Sequence, residues 1–89
     1  MTTTITINEL CSDREPRTWK PRASTIAGLN EAEIIEAAVR RFYGARAFLW
    51  RDEGLRDIGI YGQICERVSP KWGGGNSCIT GRVRVDIER

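Results

Sequence analysis

The sequence predicts an α+β fold. Two layers are expected: a largely antiparallel sheet in the order β-β-α-β-β-β, and one amphipathic helix packed on one face of it. Three observations carry this reading. A β-branched alternating run opens the chain, one well-capped helix with a single apolar stripe follows, and two further alternating runs flank a glycine-rich connection near the end. The 89 residues suffice for one core, so the span 1–89 reads as a single domain.

In "TTTITINEL", Ile5 and Ile7 point one way and Thr4, Thr6 and Asn8 the other, the pattern of a half-buried strand. "CSDREPR" is charged and ends near a proline, so it reads as a loop. "TWKPRASTIAG" reads as a second strand, with Pro21 confined to an edge or a strand start because it cannot donate to a ladder.

The helix is expected in "LNEAEIIEAAVRRFYG". Asn30 is a good N-cap, Glu33 stands where a capping-box acid reaches back, and Leu29 and Ile34 can form a hydrophobic staple. Gly44 offers a left-handed stop. Ile34, Ile35, Ala38, Val39 and Phe42 form one stripe, while Glu33, Glu36 and Arg40 point away. Glu36 and Arg40 are spaced for an ion pair, and the Arg40-Arg41 pair suits a helix C-terminus.

"ARAFLWR" is read as a short strand and "DEGLRD" as the turn after it. "IGIYGQICERV" alternates, with Ile58, Ile60 and Ile64 on one face and Tyr61, Gln63, Cys65 and Arg67 on the other. Gly62 within it marks a bulge or a close neighbour. In "CITGRVRVDIER", Ile79, Val83, Val85 and Ile87 face one way, opposite Thr80, Arg82, Arg84, Asp86 and Glu88. One face of the sheet is therefore buried and the other wet.

"KWGGGNSC" poses the main functional question. A phosphate cradle places glycines at the start of a helix, and the P-loop form ends in Gly-Lys-Ser/Thr. Here Lys71 precedes Gly73, Gly74 and Gly75, and a strand follows. The stretch reads as a hairpin loop, in which glycine supplies positive φ without steric cost. Lys71 and Trp72 on such a loop are candidate contact residues.

Composition narrows the chemistry. Net charge is only +2, which argues against a generic DNA-coating protein. Twelve of the fourteen basic residues are arginine, an excess that suits recognition and equally follows from GC-rich codon usage. There is no histidine, and the three cysteines are far apart in the chain, so no metal or other cofactor is expected. The cysteines read as small buried apolar residues. Most of the acids lie in turns or on the outer side of the helix, and no cysteine has an evident activating base, so the protein reads as non-catalytic. Without a run of about 20 apolar residues or a leader segment, it is expected in the cytoplasm and away from membranes.

Two binding functions remain. Tyr61, Gln63, Arg67, Arg82 and Arg84, with Trp50 in addition, could stack bases and hold phosphates on the open sheet, making a small nucleic-acid-binding module. Asp86 and Glu88 in the same row oppose this by offering cross-strand ion pairs. The other function is protein binding, for which Arg82, Arg84, Arg67, Tyr61, Trp72 and Lys71 are the candidate residues.

The threonine-rich first strand ("TTTITI"), the helix opened by acids and closed by Arg-Arg-Phe-Tyr-Gly, and the arginine-laced last strand ("TGRVRVDI") together resemble small phage and mobile-element proteins, including anti-CRISPR proteins. The likeness covers the whole chain in style and element order and has no signature motif, so no functional residue carries over. It implies a stoichiometric inhibitor of a host nucleoprotein complex. Such an inhibitor would sit on a CRISPR effector and block target DNA binding or nuclease recruitment.

Overall fold

The computed structural model describes residues 2–89. Five strands, β1 (Thr4–Glu9), β2 (Arg17–Trp19), β3 (Ala47–Arg51), β4 (Ile60–Arg67) and β5 (Asn76–Glu88), form one antiparallel sheet in the order β2-β1-β5-β4-β3. A four-residue helix α1 (Ala23–Ile26) precedes the main helix α2 (Glu31–Tyr43). Short 3-10 turns at Glu53–Leu55 and Pro70–Trp72 complete the chain. The α+β reading holds.

The second strand is much shorter than the sequence predicts. It ends at Trp19, Pro21 is buried, and the chain turns into α1 where a continuing strand was expected. Pro21 brings no N–H to the ladder, so pairing with β1 stops before it.

The capping box of α2 forms as predicted. Asn30 Oδ1 accepts from the Glu33 N–H at 2.9 Å, and Glu33 Oε1 accepts from the Asn30 N–H at 3.2 Å. Two otherwise orphaned donors are thereby satisfied. Gly44 ends the helix at φ 116° and ψ 163°, an extended positive-φ conformation and not the left-handed helical one expected. Its N–H still closes onto the Arg40 carbonyl at 2.9 Å.

The predicted Glu36–Arg40 pair is not made. Glu36 Oε1 instead accepts from the Leu49 N–H of β3 at 3.3 Å. β3 is an edge strand, and occupying this donor makes its free edge a poorer template for another chain. At the opposite edge Arg17 of β2 donates to the Phe42 carbonyl at 3.1 Å and lies 4.8 Å from the centre of the Tyr43 ring. Arg41 similarly covers Trp19 at 5.5 Å. The helix is thus tied to both edges of the sheet.

Beneath it Ile34, Ile35, Ala38 and Val39 meet Ile5, Ile7, Ala47, Ile64, Val83 and Val85 in one buried cluster, with Phe42 half-buried at its border. Two residues predicted for this face are not in the core. Ile58 is 69% exposed and Ile79 42%. Ile58 precedes the first paired residue of β4. Ile79 lies beyond the reach of both α2 and β1, whose last β5 partner is Val83.

Gly62 is required by packing. A Cβ there would strike the Trp50 carbonyl and come within 3.0 Å of Arg51 Cα, so β3 passes against its backbone. The close neighbour read from the sequence is therefore β3. Among the described residues no helix is long and apolar enough to cross a membrane.

Candidate interaction face

Register assembles the open face row by row. Asn8 of β1, Arg84 of β5 and Tyr61 of β4 stand side by side, and the next row holds Arg82, Gln63 and Trp50. Cys78, Cys65 and Phe48 form a third row, and Arg67 stands opposite Asn76. Tyr61, Gln63, Cys65, Arg67, Arg82 and Arg84 therefore share the face that alternation assigned to them. Cys65 is nevertheless fully buried, whereas Cys11 and Cys78 are exposed. The expectation that all three cysteines are buried is corrected for two of them.

The six predicted contact residues divide into two groups. Arg82, Arg84 and Tyr61 occupy the middle of the face, and Arg67, Lys71 and Trp72 lie at the loop end. In the middle the arginines are already engaged. Arg82 Nη2 lies 3.5 Å from Asp52 Oδ2, and Arg84 Nε lies 3.3 Å from Asp86 Oδ1. The four side chains are between a third and just over half exposed, so each pair contributes less than about 1 kcal/mol and acts mainly to orient the guanidinium.

Beside them lies a shallow cleft of about 640 Å³ lined by Trp50, Arg51, Asp52, Glu53, Gln63 and Arg82, so that two arginines and two acids face it together. Gly62 forms part of its floor, and Trp50 is 57% exposed. The mouth thus offers an indole, a carboxylate-held guanidinium and a primary amide. Asp52 is positioned by its own turn, where its Oδ1 accepts from the Gly54 N–H at 3.1 Å.

At the loop end Trp72 is 82% exposed. The three glycines after it have φ of 96°, 69° and 79°, and a Cβ on any of them would meet nothing within 4 Å. The turn needs their backbone freedom, and no neighbouring part of the chain requires glycine there. The hairpin-loop reading is correct.

Near this loop Arg46 and Arg67 line two adjoining depressions of about 320 and 270 Å³, joined in the second by Arg40. None of the three forms an ion pair among the described residues, and Arg67 lies 5.9 Å from the centre of the Phe48 ring. Sequence reasoning singled out Arg67 but placed Arg40 at a helix end and passed over Arg46. Only the return of the chain from α2 into β3 brings them together. Trp50 and Asp52 were visible as an aromatic run and an acidic turn, but their meeting with Arg82 follows from strand order. No family model, curated protein or solved structure matches the chain.

Proposed function

We propose that this protein is a small non-catalytic binding protein that acts as a stoichiometric inhibitor of a host nucleoprotein complex. In this reading it works in the host cytoplasm and docks on protein surface of a CRISPR-type effector, blocking target DNA binding or nuclease recruitment. The observation that carries the protein-binding part is the Trp50 cleft. An exposed indole stands beside Arg82, whose charge is already offset by Asp52. An aromatic anchor within alternating charges suits a protein partner of mixed polarity, since tryptophan and arginine dominate interface hot spots. A polyanion would be better served by uncompensated cations.

The test is capture of a purified effector complex by wild type, by Trp50→Ala and by Arg82→Glu with Arg84→Glu. The fold should survive the charge reversal, because both arginines are solvent-facing. Loss of a central tryptophan anchor should weaken binding by about 2 kcal/mol or more, roughly 30-fold in Kd. Undiminished capture by both variants would remove this face as the interface.

One observation favours a second reading, direct nucleic-acid binding. Arg40, Arg46 and Arg67, none in an ion pair among the described residues, line a groove shared with Glu36, and their guanidinium groups could track phosphates. A gel shift of bare oligonucleotides at physiological salt, lost in Arg46→Glu with Arg67→Glu, would support it over the inhibitor reading.

A further inference from the structure

We propose that Cys65 and Cys78 form a reversible cross-strand disulfide by exchange with a low-molecular-weight disulfide such as glutathione disulfide. The two residues are register partners, and their sulfurs lie 3.6 Å apart.

The ladder supplies the reason that this pair can close. Val68 N–H donates to the Gly75 carbonyl, and Ile64 N–H is directed to the Thr80 hydroxyl of β5. Even-numbered residues of β4 therefore turn their backbone groups toward β5, and Cys65 turns its own toward β3. Cys65 and Cys78 consequently form a non-hydrogen-bonded antiparallel pair. Such pairs hold Cα atoms about 4.5 Å apart, at the short end of the disulfide range of about 4.4–6.8 Å. Forming a bond of about 2.05 Å then needs side-chain rotation and little backbone movement.

The two sulfurs are unlike in a way that orders the reaction. Cys78 is exposed near the start of β5, directly after the glycine loop. Cys65 is buried, and burial first, then its neighbour Cys78, pushes its thiol up to about 11. Cys78 is therefore the sulfur that meets the oxidant. Its thiolate attacks one sulfur of glutathione disulfide, forming a mixed disulfide and expelling one glutathione thiolate. Cys65 then loses its proton and attacks the Cys78 sulfur, breaking the mixed disulfide and expelling the second glutathione thiolate. Two protein thiols are oxidised, one glutathione disulfide is reduced to two thiols, and the two protons released from the protein balance the two glutathione thiolates. Among the described residues no third cysteine, histidine or carboxylate joins the pair in a metal-holding cluster, which favours oxidation over metal capture as its chemistry.

The bridge would close the segment Glu66–Ser77, which carries Lys71 and Trp72, adding a covalent tie to the strand pairing that already holds the ends of this loop in the reduced protein.

The experiment treats reduced full-length protein with glutathione disulfide, quenches it, alkylates the unfolded chain and maps its peptides. The expected result is loss of two of the three reactive thiols, a Cys65–Cys78 linked peptide, and recovery of all three with dithiothreitol. In Cys65→Ser the glutathione adduct should persist on Cys78, because nothing resolves it. The proposal is overturned if wild type accumulates a stable adduct on Cys78 with Cys65 still alkylatable. It is equally overturned if the only disulfides formed involve Cys11 or link two chains. The wild-type mapping decides the matter even if the serine variant does not fold.

Discussion

The two halves of β5 have opposite surroundings. From Val83 to Glu88 the strand has β1 on one side, β4 for its first part on the other, and α2 beneath, and Val83 and Val85 are buried. From Asn76 to Arg82 it pairs with β4 alone, and Ile79, on the same face, is 42% exposed. Length explains the difference. A 13-residue strand spans about 44 Å, whereas a 13-residue helix spans about 20 Å, so α2 cannot cover β5 from end to end. The covered half supplies stability, and the uncovered half presents the loop, Trp72 and the cysteine pair. Alternation thus reports which side a residue faces, while burial depends on whether another element reaches it.

The sharpest test of this contrast compares two isoleucines. Ile64→Ala, on the neighbouring strand β4 and fully buried in the core cluster, should lose about 2–5 kcal/mol in denaturant titration, and Ile79→Ala, in the uncovered half of β5, less than about 1 kcal/mol. Equal losses would break the comparison. Gly62→Ala comes next. The new methyl meets the Trp50 carbonyl in a packed region, so a loss of about 1–3 kcal/mol is expected, with the Trp50 fluorescence environment perturbed.

Thr80 lies in the uncovered half, two residues before Arg82. Its hydroxyl accepts from the Ile64 N–H at 3.2 Å and donates to the Gly81 carbonyl at 2.8 Å. Thr80→Val keeps the shape and leaves that N–H unpaired, so a loss of about 1–2 kcal/mol and faster amide exchange at Ile64 are expected. In the loop before the uncovered half, Gly74→Ser places a side chain at φ 69° but meets no neighbour, so only about 1 kcal/mol of stability should be lost, to backbone strain.

The last effect is absent at neutral pH. Burial raises the Tyr43 hydroxyl above its ordinary value, helped by the Glu9 carboxylate, and raises the Cys65 thiol to about 11. Both groups hold their protons more tightly in the folded chain than in the unfolded one. Reduced protein should therefore keep this stability below about pH 9 and lose it as pH rises through 11. Cys65→Ser and Tyr43→Phe should each flatten that alkaline decline in thermal melts.

The local elements were legible in the sequence because their causes are local. The Asn30–Glu33 box, the stripe from Ile34 to Val39 and the Ile5–Ile7 alternation are set by residues a few positions apart, where capping and periodicity act. The glycine loop was legible for the same reason, since three positive-φ positions between strands demand glycine. Tertiary structure alone decided what depends on register and reach. Glu36 meets Leu49 and not Arg40, Arg40 joins Arg46 and Arg67, and Ile79 is left outside the core. The cysteine pair is the clearest case. Had the pairing of Gln63 with Arg82 run on without interruption, Cys65 would face Thr80. Two additional residues on β5 between these pairs shift the register and bring Cys78 opposite it. Such a shift is an agreement between strands distant in sequence, set by how whole strands pack, and no short stretch of either one encodes it.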